Sequence, residues 1–312
     1  MKTARFETMV TMIIAASAIG ARGIACGPCN PADETSTVSW TPPPELDAGV
    51  SDTEITQRCD AICGTGVESC EYGSQTSAEG IEVNCNFGPD MNACTAGRRP
   101  EALDEAAFTD DPGTVAGWLG RMAYLEAAAI LAFRDLRRDL RAHGAPRRLL
   151  RTASRSRRDE VRHARTMAAL CRRHGARVPA ARSGESAIPT LEQLATLNAV
   201  EGCVRESYGA VVARLQAMTA ADREVRSAMA RIAHEEAKHA ALSFAIDGWA
   251  RARLTRQARA RVDAARTEAA RALVEAAAHE VPAPLRAALG LPAPDVAVRL
   301  ARGMIKEMRL AA

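Results

Sequence analysis

Four glutamates and two histidines follow a repeated order along the chain: Glu126, then Glu160 with His163, then Glu201, then Glu236 with His239. Each Glu-x-x-His pair sets a carboxylate and an imidazole at i and i+3, on one face of a helix. Glu126 falls inside the apolar stripe Leu119, Met122, Ala123, Ala129, Ile130, Phe133, Leu136 and Leu140, and Glu201 falls inside Leu191, Leu194, Leu197, Val204, Tyr208, Val211, Leu215 and Met218. A surface glutamate would lie on the opposite face. Four buried carboxylates on their own would repel and take up protons, because desolvation and like charge both raise a carboxyl pKa. Two divalent cations would neutralise them, with the imidazoles as neutral ligands. Oxygen-rich sites with some nitrogen suit iron or manganese, whereas zinc takes fewer ligands and more sulfur or nitrogen. A lone Glu-x-x-His is weak evidence. Two of them, alternating with two stripe-buried glutamates, are strong. The competing arrangement is a metal-free bundle whose buried Glu and His pair with arginines such as Arg162 or Arg205.

The elements that must position these groups are helices. The first runs from about Thr114 to His143 and ends at Gly144, a favourable residue just past a helix C-terminus. The second starts near Pro146, suited to a first helical position, and stops before Gly175. A capping box, Thr190-Leu191-Glu192-Gln193, opens the third, and a capping signal at 219–222 opens the fourth. Helices joined by a short turn run antiparallel, so residues equally far from the turn lie at one height. Glu126 and His163 are centred on the Gly144-Ala145 turn, and Glu201 and His239 on the turn at 219–221. Each ligand is therefore about 28 Å from its hairpin at 1.5 Å per residue. The loop at 175–189 can span at most about 50 Å, enough to cross such a bundle lengthwise.

An order of Glu, Glu-x-x-His, Glu, Glu-x-x-His is the ligand set of dinuclear carboxylate bundles, and over roughly 113–252 the chain resembles the ferritin-like superfamily. Gly97-Arg98-Arg99-Pro100, Leu125-Glu126-Ala127-Ala128 and Asp159-Glu160-Val161-Arg162-His163, with the leader and cysteine-rich segment, are similar to exported, largely uncharacterised bacterial ferritin-like proteins. The resemblance implies an all-α fold: a four-helix bundle with a long crossover between its second and third helices. It further implies Glu126 and Glu201 as terminal ligands, Glu160 and Glu236 as bridges, and His163 and His239 on one metal each, with two iron or manganese ions as cofactor. Peroxidases of the rubrerythrin type carry two CxxC pairs and this chain has one. Storage ferritins usually lack the second Glu-x-x-His, and a tethered start would obstruct a closed cage. The expected function is an exported dinuclear-metal oxidoreductase reacting with oxygen or peroxide; the alternative is a metal-binding or structural envelope lipoprotein without turnover. Neither the electron donor nor the oligomeric state is legible.

Other residues carry weaker signals. Tyr208, two turns after Glu201, could hydrogen-bond a ligand, and Asp247, eight residues past His239, is a candidate partner for a ligating group. Cys171 and Cys203 read as small buried residues.

Composition separates two regions. Residues 1–100 hold six Lys+Arg against thirteen Asp+Glu, while the remainder holds thirty-five against twenty-five; seven of nine cysteines lie between Cys26 and Cys94. Aromatics are only 4%, which favours helices over an aromatic-rich β-sandwich. A charged start followed by about ten apolar residues reads as an export signal over 1–25, and Gly23-Ile24-Ala25-Cys26 resembles a lipobox, so Cys26 is a candidate lipidation site tethering the chain to a membrane. Cys26-Gly27-Pro28-Cys29 looks like a thioredoxin motif but lacks the strand and helix that motif needs. Residues 26–58 read as a flexible linker and 59–100 as a disulfide-stapled segment. The bundle occupies 113–252, and an extra helix (about 255–279) and tail occupy 253–312. Arginines spread over all helices among glutamates, without aromatic stacking residues, argue against nucleic-acid binding.

Overall fold

A computed structural model of the chain describes residues 3–19, 34–41, 55, 58, 62, 69–77, 80–87, 98–100, 103, 113–178, 180–184 and 186–310. The chain divides into two compact units, one formed by 1–23 with 92–312 and the other by 24–91.

The larger unit is built from packed helices. Helix α1 (Thr3–Ile19) is followed, after the smaller unit, by α2 (Val115–Ala142) and α3 (Arg147–Arg173). Thr114 caps α2 by accepting from the Gly117 amide, and Gly144 turns the α2–α3 connection with φ +67°, a conformation that glycine adopts without strain. After the crossover, α4 (Leu191–Leu197) opens on the expected Thr190–Gln193 capping box. The expected single third helix is then interrupted by a π-helical segment at Asn198–Glu206 before it continues as α5 (Ser207–Thr219). Asp222 caps α6 (Arg223–Arg251) through the Glu224 and Val225 amides. Helices α7 (Arg256–Ala276), α8 (Ala283–Leu289) and α9 (Pro294–Met308) complete the unit.

Helix α2 packs along α3, α5 along α6, and α3 against α6, while α7 flanks α4 and the π segment. Two apolar layers result. One joins Leu119, Met122 and Leu125 of α2 to Met167 and Leu170 of α3 and to Val225, Met229 and Ile232 of α6. The other joins Phe133, Leu136 and Leu140 to Ala153, Leu194, Leu242 and Ile246. Glu126, Glu160, His163, Glu236 and His239 lie in sequence between the contributions of α2, α3 and α6 to the two layers, and all five are buried. A polar layer between two apolar ones must satisfy its groups internally. A third cluster packs Met9, Val10, Ile13 and Ile14 of α1 against α9, α5 and α6 residues such as Met304, Leu300, Val211 and Ala237. Helix α1 falls within the stretch read as an export signal. Helix α2 is the one described helix long and apolar enough to cross a membrane, and most of its apolar window is buried inside the bundle.

The smaller unit holds an antiparallel sheet of β1 (Glu34–Trp40), β2 (Ser69–Ser77) and β3 (Gly80–Phe87), in the order β1-β3-β2. The stretch expected to be a linker over 26–58 thus contains a strand, whose Val38 and Trp40 lie opposite Val83 and Ile81 of β3. Cys70 is disulfide-bonded and stands in register opposite Cys85. Cys26, Cys29, Cys59, Cys63 and Cys94 lie outside the described residues, and with them the lipobox and most of the expected staples.

Candidate metal centre

The site forms where α2, α3 and α6 bring acidic and imidazole groups to one level. Glu160 and His163 share a face of α3, and Glu236 and His239 share the matching face of α6. Glu126 of α2 closes the side opposite. Glu126, Glu160, His163 and Glu236 each offer a ligand atom, and these atoms lie within 4.8 Å of one another. The Nδ1 of His163 is 3.3 Å from Glu126 Oε2, 3.4 Å from Glu160 Oε2 and 3.3 Å from Glu236 Oε1. His239 enters the same cluster through Nδ1, 3.0 Å from Glu160 Oε1 and 3.5 Å from Glu236 Oε1.

These contacts are close, yet none has the geometry of a hydrogen bond. Glu126 Oε2, both oxygens of Glu160 and of Glu236, and both Nδ1 atoms are buried without a hydrogen-bond partner. Buried polar atoms normally find partners, and each one that does not costs about 1–3 kcal/mol. Seven such atoms of metal-ligand type converging on one spot suit a cation, and the buried Glu126–Glu160–His163–Glu236 group could hold a metal ion.

The outward nitrogens are fixed from across the helix pair. His163 Nε2 meets Glu235 Oε2 of α6 at 2.8 Å, and His239 Nε2 meets Asp159 Oδ2 of α3 at 3.4 Å. Arg162 donates to both carboxylates, reaching Glu235 Oε1 at 2.6 Å. With Nε2–H donating outward, Nδ1 is the nitrogen each ring turns to the cluster, and its lone pair would become available to a metal once its proton is displaced, the arrangement that orients a metal-binding imidazole. The His239 ring also meets the edge of Phe133, with centroids 5.1 Å apart. Reading the sequence for ligands missed the roles of Asp159 and Glu235. Their signal was available: each is the acid immediately before the glutamate of a Glu-x-x-His pair, turned off the ligand face by one helical step.

Charge in the metal-free chain is balanced by protons. Burial pushes Glu126 from 4.5 up to about 8, against the pull of His163 and helped by the negative charge of Glu160 and Glu236. Burial also opposes ionisation of Glu160 and Glu236, but the imidazolium charge of His239, joined by His163, holds both below their usual value. Burial disfavours charge on the imidazoles in turn, and the surrounding carboxylates outweigh it, raising His163 (chiefly Glu126) and His239 (chiefly Glu236 and Glu160). Two imidazoliums then face two carboxylates beside a neutral Glu126.

Glu201 stands apart from this cluster. It is buried, but its Oε1 accepts from Arg205 at 2.8 Å and its Oε2 from the Arg99 amide at 3.4 Å. The arginine pairing weighed in the sequence as the metal-free alternative is therefore realised at this one residue. The segment carrying Glu201 is itself held by a buried network. Arg98 reaches Asn198 Oδ1 at 3.0 Å, Ser243 Oγ at 3.2 Å and Glu206 Oε1 at 3.3 Å, and Ser243 Oγ donates to Glu206 Oε2 at 2.8 Å. Gly202 makes room for it: a Cβ there would lie 2.3 Å from Arg98 Nη2 and 2.4 Å from Ser243 Oγ. Burial lifts Glu206 to about 7, with Arg98 the main opposing influence.

The two expected outer partners lie elsewhere. Tyr208 is buried against α9, where its hydroxyl donates to the Ala297 carbonyl at 3.4 Å. Asp247 faces Arg251 and Arg266 at 3.7 and 3.8 Å, and burial raises its pKa despite them. Cys171 and Cys203 are free and buried as expected. No protein-family model, curated protein or solved structure matches the chain.

Proposed function

We propose that this chain is an exported, ferritin-like dinuclear metal protein, binding two iron or manganese ions and reacting with oxygen or peroxide. The observation that carries this reading is the set of seven orphaned donor atoms on Glu126, Glu160, His163, Glu236 and His239. Glu126, Glu160 and Glu236 would hold the ions through their carboxylates, and His163 and His239 through Nδ1. Ions held there would supply Lewis acidity and one-electron chemistry toward an oxidant. The protein's own contribution is a pre-set donor geometry: Glu235 and Asp159 fix the imidazole tautomers, and the apolar layers above and below keep bulk water away. Glu201, on the fourth rod, would join as a terminal ligand by exchanging its contact with Arg205 for a metal.

One observation favours a second reading, metal binding without turnover: the ion pair of Glu201 with Arg205 leaves a smaller, more closed ligand set. Reconstitution with ferrous or manganous ion, followed by metal analysis, tests the first part. About two ions per chain, with clear loss in Glu160→Ala, is the expected outcome. Oxygen or peroxide consumption by the reduced, loaded protein then separates the readings. Stoichiometric loading without consumption would favour the second, and no retained metal would remove both.

A further inference from the structure

Residues of α3 and α6 line an open recess of about 670 Å³ whose walls include Asp159 and Glu235, the outer partners of the two imidazoles. Its lining is strongly cationic: Arg148, Arg155, Arg158, Arg162 and Lys238 are exposed along it. Only two acids line it, Asp159 and Glu235, and both are committed inward to His239 and His163. Among the described residues, no acidic group pairs with Arg148, Arg155, Arg158 or Lys238. From Arg148 to Arg162 the stripe runs about 21 Å at 1.5 Å per residue, too long for one small anion and too poor in aromatic rings for stacked bases.

A solvated basic face would need no relation to the polar layer, and this one has two. Glu235 carries a 2.8 Å contact from the recess to His163, and Asp159 a 3.4 Å contact to His239. Arg162, on the recess wall, holds both acids. Two short side-chain routes therefore join the floor of a cationic groove to the two imidazoles that face the cluster.

From this geometry we infer that the α3–α6 groove is the docking surface for an acidic one-electron carrier protein, with electrons entering the metal centre through Glu235–His163 and Asp159–His239. The inference rests on the proposed dinuclear centre and adds where its electrons come from. Each encounter oxidises one carrier by one electron and lowers one bound ion from the trivalent to the divalent state, so two carriers reduce the pair. No bond forms or breaks. Charge complementarity of this kind acts mainly on encounter rate and fades with salt.

The test uses the full chain with a plant-type [2Fe–2S] ferredoxin as the acidic probe, comparing wild type with Arg148→Glu/Arg155→Glu/Arg158→Glu. Among the described residues, none of these three arginine side chains makes a hydrogen bond or ion pair with the cluster, Asp159 or Glu235. Binding is measured on the metal-free protein by fluorescence anisotropy, and reduction of the oxidised, metal-loaded protein by stopped flow. The expected result is salt-sensitive binding that the triple variant loses. Reduction by ferredoxin should slow about tenfold or more, while reduction by neutral durohydroquinone keeps its wild-type rate. Equal ferredoxin rates in wild type and variant would overturn the inference. So would binding to phosphatidylglycerol vesicles with none to ferredoxin, which would make the groove a lipid-facing surface. A chain that binds ferredoxin but retains no metal refutes the dinuclear reading, and electron entry with it, leaving only an acidic-protein dock.

Discussion

Glu235 of α6 accepts from His163 of α3 at 2.8 Å, so the acid that fixes one imidazole sits on the helix carrying the other. Asp159 returns the arrangement to His239 at 3.4 Å. Each acid directly precedes a cluster glutamate, and each reaches across to the imidazole of the other helix. The two Glu-x-x-His segments are thereby cross-locked.

Removing Glu235 should loosen the imidazole more than the fold. In Glu235→Ala, His163 loses its outward acceptor and can turn Nδ1 away from Glu126, Glu160 and Glu236. Metal affinity should fall about 10- to 100-fold, measured by competition with a chromophoric chelator. Glu235→Gln keeps an acceptor oxygen and should recover most of it. Asp159→Ala should cost less, because its contact is longer. Unchanged affinity in Glu235→Ala would show that the imidazole is positioned by something else.

The Arg98 network makes the π-helical segment depend on a residue 100 or more positions away from its partners Asn198, Glu206 and Ser243. Arg98→Met leaves the buried Glu206 carboxyl without its guanidinium partner; Glu206, already lifted to about 7 beside Arg98, takes up a proton, and the unmade hydrogen bonds cost about 1–3 kcal/mol. Gly202→Ala should be similarly costly, since its Cβ would collide with Arg98 and with Ser243. Chemical denaturation measures both. Adding Glu206→Gln to Arg98→Met should change little near neutral pH and should restore stability at higher pH, where Glu206 would otherwise have to ionise; no recovery there would mean that packing against Phe133, 5.7 Å from the guanidinium, matters more than charge.

Tyr208 gives a sharper test of site limits. Its position two turns past Glu201 suggests contact with a ligand, but its hydroxyl donates to the Ala297 carbonyl at 3.4 Å. Tyr208→Phe should leave metal stoichiometry and the optical spectrum of the loaded protein unchanged, and should lower stability by about 1 kcal/mol, the worth of one buried hydrogen bond. A changed spectrum would return Tyr208 to the centre.

What the sequence disclosed follows local physics. Caps at Thr114, Thr190 and Asp222 are read by side chains within three residues, so helix starts were legible. The burial of Glu126, Glu160, His163, Glu236 and His239 is legible because each falls on the apolar face of its helix. Long-range and backbone effects were not. The π-helical segment depends on Arg98 and Asn198 reaching Ser243 of another helix, which no periodicity encodes. The stripe that holds Glu201 points it toward the ligand layer, while its i+4 neighbour Arg205 pairs with its carboxylate. Strand β1 resembles a tether in sequence because Glu34–Trp40 is short and mostly polar; it is a strand through pairing with β3.

Protonation supplies the last prediction, through the sign of its effect on stability. Glu126 rises from 4.5 to about 8 on folding and Glu206 to about 7. The folded metal-free chain thus keeps protons that the unfolded chain releases above pH 4.5, and this stabilisation disappears as pH climbs toward 8. His163 and His239, raised from 6.5, act in the same direction above that pH. Glu160 and Glu236, held below 4.5, contribute above that value and withdraw their support only in acid. Metal-free protein should therefore be most stable near pH 5 and should lose Tm steadily up to pH 8. Metal ions must displace the protons on Glu126, His163 and His239, so loading should release protons and tighten with rising pH. The Tm difference between loaded and metal-free protein should widen from pH 5.5 to 8.5, followed by calorimetry on both forms. Parallel curves would mean that these side chains are not the ligands.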